Sequence, residues 1–184
     1  MLNVHSRRLY HVYTILIIVA VGMAMISIAN LDSGPWAVFA EEEHHKFTAK
    51  LTGSEEVPAK TTKATGTGEF TLGHDGKTLS YKISVKDIRS VTTVNIHNGS
   101  KGENGPALAT LFRSRTANPL LGFVTDNTPI NGVVSEGTIT SSNLHGPLKG
   151  KQISDLANIM KSGQAYANIR TKQNPKGEIR GQIS

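Results

Sequence analysis

The chain of 184 residues contains no cysteine. Disulfide staples, thiolate nucleophiles and cysteine-bound zinc or iron–sulfur centres are therefore excluded together, and any core must hold by packing alone. The compartment stays open on this point, because an exported microbial protein can manage without disulfides. Aromatics make up only 5% of the chain, and the single tryptophan, Trp36, sits close to the N-terminus. The rest of the chain offers no indole platform for sugars, and Phe47, Phe70, Tyr81, Phe112, Phe123 and Tyr166 read as packing residues of a small core. The Gly-x-Ser-x-Gly elbow of a hydrolase is missing too. Gly99, Gly102 and Gly105 are spaced like a phosphate loop, but Pro106 and a strand follow them, where a phosphate cradle needs a helix N-terminus. Glu55 and Glu56 are adjacent, so on a strand they face opposite ways and cannot act jointly as acid and base.

Long apolar runs are equally scarce. The one present, Thr14–Ala29, spans 16 residues, is preceded by Arg7 and Arg8, and precedes "AVFA", which ends at Ala40. That length is short of the ~20 residues a bilayer core requires, yet suits an export signal, with Val38 and Ala40 at the −3 and −1 places of a cleavage site. Residues 1–40 are read as a signal peptide or a signal anchor, residues 41–45 as a charged linker and residues 46–184 as one domain. Either N-terminal reading places the domain outside the cytoplasm, secreted or held to the membrane through residues 14–29 if the signal is uncleaved. His44 and His45, beside Glu41–Glu43, are read as a solvated, unordered start.

Setting aside Arg7, Arg8 and Asp32 leaves 18 basic and 13 acidic residues, a formal charge of +5 on the exported part. The bases are dispersed, with one looser group at Arg170, Lys172, Lys176 and Arg180. This reads as a solvated face, the alternative being an acidic partner such as an envelope polymer. Basic residues are not interleaved with aromatics, so no nucleic acid partner is expected.

What is present is β-structure. In "KFTAKLT" Phe47, Ala49 and Leu51 alternate with polar residues, and in "TLSYKISV" Leu79, Tyr81, Ile83 and Val85 do the same, the period of half-buried strands. Asp75-Gly76 between them predicts a tight hairpin with positive φ at both positions. Further strands are expected at Val91–His97, Ala107–Phe112, Leu121–Val124, Val133–Thr140, Gln164–Arg170 and Glu178–Ser184, with a type I turn at Pro175 and Gly177 joining the last two. Pro58 is expected to end a strand's donor ladder. One short helix is predicted in "SDLANIMKSG", with Ser154 as its cap, Leu156, Ile159 and Met160 on one face and Gly163 as its stop. The fold class is all-β, an antiparallel β-sandwich (immunoglobulin-like or superoxide-dismutase-like) with one short helix, preceded by an N-terminal hydrophobic helix.

The segments "FTAKLTGSEEVPAKTTKATGTGEFTL", "LSYKISV", "NIHNGSKGENGPALATL" and "ANIMKSGQAYANIRTKQNPKGEIRGQIS" occur in the order found in CHRD domains, the module named after chordin and also found in exported microbial proteins. The chain resembles that family over residues 46–184. The resemblance implies an extracellular interaction domain without specifying its ligand. The family's middle motif commonly reads His-Ile-His-x-Gly and its late strand Val-Asn-Val-His-Thr. Here these positions hold Asn95-Ile96-His97-Asn98-Gly99 and Ala167-Asn168-Ile169-Arg170-Thr171, so one of three recurrent histidines remains. Asn95, His97, Asn98, Gly99, Asn168 and Arg170 form the candidate motif surface.

The His-x-His pattern weakly resembles that of copper–zinc superoxide dismutases. On a strand, positions 95 and 97 share a side while Val94 and Ile96 face the other. Asn95 is a poor ligand for copper or zinc, and Arg170 brings a permanent positive charge beside any cation. No metal and no cofactor are expected, and His97 is the ligand should a metal bind; its expected role is to hold the turn by hydrogen bonds. His74 and His145 are read as turn and loop residues. Asn98 is read as a residue tolerating the left-handed conformation of a turn, with Asn98-Gly99-Ser100 as an N-glycosylation sequon the alternative. These readings combine into a non-enzymatic, exported or cell-envelope module that binds a protein or an envelope polymer. A metal-binding, superoxide-dismutase-like redox protein is the alternative.

Overall fold

In the computed structural model, residues 45–114 and 128–184 are described. The expected signal or anchor with its hydrophobic helix, residues 41–44 of the linker, and the expected strand Leu121–Val124 lie outside them. The described residues form eight strands: β1 Lys46–Thr52, β2 Thr65–Leu72, β3 Thr78–Ile88, β4 Val91–Asn98, β5 Ala107–Arg113, β6 Ile130–Thr140, β7 Ala165–Thr171 and β8 Ile179–Gln182. They also form one α-helix, α1, over Ile153–Lys161. No helix among the described residues is long and apolar enough to cross a membrane.

The period-two segments behave as their alternation dictates. Phe47, Ala49 and Leu51 are buried between exposed Lys46, Thr48 and Lys50, and Leu79, Ile83 and Val85 turn inward from β3. The β2–β3 connection is longer than a two-residue hairpin. Gly76 N–H donates to Gly73 O at 2.9 Å, and Gly73 N–H donates to Thr78 O at 2.9 Å. Only Gly76 takes a positive φ, +64°, while the Asp75 side chain accepts Lys77 N–H at 2.9 Å. One residue in the left-handed region suffices for this wider loop. Helix α1 buries Ile153, Leu156, Ala157 and Met160 and is stopped by Gly163, φ +68°. Its N-cap is Gln152 rather than Ser154: the Asp155 carboxylate reaches back to accept Gln152 N–H at 2.9 Å, which places the helix start two residues earlier. Strand β1 likewise ends at Thr52, in a 3-10 turn over Gly53–Glu55, well before Pro58.

The strands form one antiparallel sheet in the order β5-β4-β7-β8-β1-β2-β3-β6, not the two sheets of a sandwich. The difference lies in a single junction. The first and last strands pair, with Thr52 opposite Arg180 and with Thr48 and Ser184 exchanging both backbone bonds at 2.7 and 3.0 Å. That pairing joins two four-stranded halves that would otherwise face each other as separate sheets. Accumulated twist curls the joined sheet towards a barrel, and its two ends approach: Tyr81 Oη of β3 and Ser135 Oγ of β6 both donate to Leu111 O of β5, at 2.8 and 2.9 Å. The core inside is one continuous apolar cluster that includes the buried face of α1.

Candidate functional site

Strand register assembles the polar motif residues. Across β4 and β7, Asn95 lies opposite Asn168, Thr93 opposite Arg170 and His97 opposite Tyr166; across β7 and β8, Asn168 lies opposite Arg180 and Tyr166 opposite Gln182. Alternation turns Val94, Ile96, Ala167, Ile169 and Ile179 into the core, where all are inaccessible. Asn95, His97, Tyr166, Asn168, Arg170, Arg180 and Gln182 therefore share the opposite face. Most of these residues do not meet solvent. Asn95, His97 and Asn168 are buried, His97 to 5% exposure, and Arg180 retains only 2%. The covering comes from three loops, around Gly53–Pro58, Gly99–Gly105 and Lys172–Glu178, so the expected motif surface is the floor of a layered polar site.

His97 is fixed from two directions. Its Nδ1–H donates to Gly105 O at 2.9 Å, and its ring stacks on Tyr166 with centroids 5.1 Å apart and planes 13° from parallel. The Nε2 atom is buried without a partner. Burial lowers the His97 pKa below 6.5, reinforced by the positive charges of Arg170 and Arg180, so the imidazole is neutral and its Nε2 carries a lone pair. Arg180 lies 3.5 Å above the Tyr166 ring centre and donates to Ser100 O at 3.0 Å and Asn104 Oδ1 at 3.3 Å. Gln182 Nε2 lies 2.9, 2.7 and 2.8 Å from the carbonyls of Gly99, Gly163 and Ala165. These contacts clamp the Gly99–Gly105 loop onto β8. Within the loop a side chain at Gly105 would run into the Asn98 backbone, so glycine is required where this segment doubles back. Asn98 itself ends β4 in extended conformation; the positive φ values fall on Gly99, +152°, and Gly102, +83°.

The second anchor is Glu56. Its Oε1 accepts Asn168 Nδ2–H at 2.8 Å, and Asn168 Oδ1 accepts Arg170 Nε–H at 3.3 Å. Burial raises the Glu56 pKa from 4.5 to about 7, against the opposing pull of Arg180, Arg170 and Lys60. Glu55 points elsewhere, pairing with Lys101 at 3.1 Å. Glu178 holds the third loop: it accepts from Thr62 at 2.9 Å, Thr171 at 2.7 Å and Asn174 at 3.2 Å. The expected turn is present, with Gly177 N–H donating to Asn174 O at 3.1 Å across Pro175.

Between these loops lies a pocket of about 240 Å³ lined by Val57, His97, Asn104, Gly105, Tyr166, Asn168, Arg170, Pro175 and Lys176. Its donor set does not fit copper or zinc. His97 offers a single lone pair, Arg170 and Arg180 stand beside it, and no three His, Cys, Asp or Glu side chains cluster among the described residues. His145, expected as a loop residue, lies outside the pocket with Nε2 3.0 Å from Thr110 Oγ1.

Of the sequence candidates, Asn95, His97, Asn168 and Arg170 are brought together, while Asn98 and Gly99 sit at the loop's edge. Sequence reasoning missed Glu56, Asn104, Tyr166, Arg180 and Gln182 as members of the site. Their signal was present in the alternation of Arg180 and Gln182 with Ile179 and Gly181 along a terminal strand, and in Glu56 itself, within the Glu-Val-Pro segment. Three of the four segments that carry the family resemblance thus converge through Glu56, His97 and Arg180. No curated protein and no solved structure matches the chain. Residues 47–183 match the family model described as the CHRD domain, and the chain belongs to the CHRD family.

Proposed function

We propose that this CHRD domain is a non-enzymatic binding module that works outside the cytoplasm, secreted or anchored through residues 14–29, and engages a protein or an envelope polymer. The observation that carries the reading is how the polar groups are used. Hydrogen bonds from Asn168, Arg180 and Gln182, the His97–Gly105 bond and the three bonds accepted by Glu178 hold three loops in fixed positions around one pocket. Such pre-organisation lowers the ordering cost of binding. His97 is committed to Gly105 O and stacked on Tyr166, and its Nε2 has no hydroxyl within hydrogen-bonding reach among the described residues, so the nucleophile–base pairing of covalent catalysis has no support here.

Two measurements test this. Fusing residues 1–45 to a reporter active only outside the cytoplasm should give an active, exported reporter; a cytoplasmic reporter would remove the compartment. Elemental analysis of purified full-length protein should give no stoichiometric metal. One equivalent of copper or zinc accompanied by superoxide consumption would replace the binding module with the redox reading.

A further inference from the structure

We infer that the pocket over β7 binds the carboxylate of a hydroxylated acid, a sugar acid, with the Arg170 guanidinium as its pairing group; this rests on the binding-module reading and gives it a ligand class. The first support is a cation neutralised only in part. Arg170 is half-buried, and its Nε–H is held by Asn168 Oδ1, while its terminal nitrogens donate to no group among the described residues. Among the described residues the one ion pair is Lys101–Glu55, away from the pocket. A partly desolvated guanidinium without a carboxylate is costly unless something pairs with it. Its planar fork matches one carboxylate in bidentate fashion. Lys176 lines the same pocket and adds a second positive charge at the mouth.

The second support is pre-organisation. Glu56 holds Asn168, and Asn168 holds Arg170 Nε, so the fork is aimed by a chain of side chains before any ligand arrives. The acid in that chain, Glu56, is drawn towards its neutral form by burial, so it offsets the positive charge of Arg170, Arg180 and Lys60 only in part.

The third support is the remaining lining. Val57 and Pro175 are its main aliphatic side chains, and the Tyr166 ring is already occupied by His97 and Arg180. Neither an apolar ligand nor stacking of a sugar face is served. The carbonyl of Val57 has one protein donor, Asn104 Nδ2 at 2.8 Å, and a second lone pair for a hydroxyl. At about 240 Å³ the pocket is below the roughly 300–1,000 Å³ that takes drug-sized ligands, so it suits one sugar-acid unit, free or projecting from a polymer.

The test titrates full-length protein, in mild detergent, with galacturonate while following the side-chain nitrogen resonances of Arg170, Asn168 and Asn104. Saturable shifts at these groups are expected, none with galactose, and affinity at least about tenfold weaker in Arg170→Gln, the loss of one charge-assisted bidentate pair. Lys176→Gln, on an exposed turn, should weaken binding about two- to fivefold by removing one screened charge, and it decides the matter if Arg170→Gln fails to fold. Trigalacturonate binding more tightly than the monomer identifies a polymer as the source, and equal binding identifies a free acid or chain end. Absence of saturation, equal binding of galactose, shifts confined to scattered surface lysines, or displacement at lower concentration by a glutamate-rich peptide or inorganic phosphate would each overturn the assignment. Envelope capture that survives Arg170→Gln, together with no galacturonate binding, would overturn the pocket and leave the binding module standing.

Discussion

Two buried titratable groups in the site respond to pH in opposite directions. Glu56 has a folded pKa of about 7 against 4.5, so the folded state holds its proton more tightly than the unfolded chain. Its contribution is favourable below 4.5 and is lost as pH rises through 7. His97 is depressed below 6.5, so its contribution is present above 6.5 and is lost as pH falls through the folded value. Glu56→Gln keeps the shape and can still accept from Asn168, but has no charge to bury. We expect this variant to be at least as stable as the parent at pH 8, and to lose the decline in urea midpoint that the parent shows between pH 4.5 and 7. A variant retaining that decline would show that Glu56 is not its source. Gly177 supports the same carboxylate by what it lacks: a Cβ there would run into the Glu56 oxygens and Asn168 Nδ2, at a φ of +151°. Gly177→Ala should cost about 2 kcal/mol or more, from overpacking and backbone strain together, read as a lowered thermal midpoint.

At the scale of elements, local patterns were readable where one segment decides its own fate. Alternation in β1 and β3, Gly163 as the stop of α1 and the Pro175 turn are local matters. So was the shared face of Asn95 and His97, since period two requires it. Readability ended where segments distant in the chain had to meet. Glu56 and Asn168 are 112 positions apart, and neither alone signals that its partner will be a carboxylate or a carboxamide. The sandwich expectation failed for the same reason: alternation shows which residues face inward, but the β1–β8 pairing that merges two halves is a property of two strands distant in the chain. Gln182 shows how such long-range links act on an element. Its carboxamide nitrogen has two N–H groups to serve the carbonyls of Gly99, Gly163 and Ala165, tying the motif loop and the turn after α1 to β8. Truncation removes the Gln182 donor from Gly99 O and Gly163 O, while Ala165 O keeps Ile183 N–H at 2.9 Å, and Gln182→Ala should cost about 2 kcal/mol. Amide exchange should accelerate in residues 99–105 and 163–165; acceleration spread evenly over the sheet would show that Gln182 serves general packing instead.

At the scale of the molecule, the sheet is strongest in its middle and weakest where its ends meet. Strand β7 is buried along almost its whole length and is paired on both sides, by β4 and β8. Among the described residues, strand β6 pairs only with β3, through a register broken twice, and presents mostly exposed or half-buried residues, including Val133 at 48% exposure. The β3–β6 end of the sheet meets β5, among the described residues, through a pair of hydroxyls converging on one carbonyl, Tyr81 Oη of β3 and Ser135 Oγ of β6 on Leu111 O, where closed barrels use a backbone ladder. Local opening follows the fewest buried contacts and the most exposed backbone bonds, so β6 should release its amides to exchange before β4 and β7 do. Tyr81→Phe removes one of the two hydroxyls while leaving the ring packed on the core. Because Ser135 still satisfies Leu111 O, the expected cost is about 1 kcal/mol. The loss should be concentrated at the seam, with faster exchange in β6 and unchanged protection in β7. If Tyr81→Phe instead lowers protection equally across all eight strands, the seam is part of the global unfolding unit and the sheet behaves as a closed barrel.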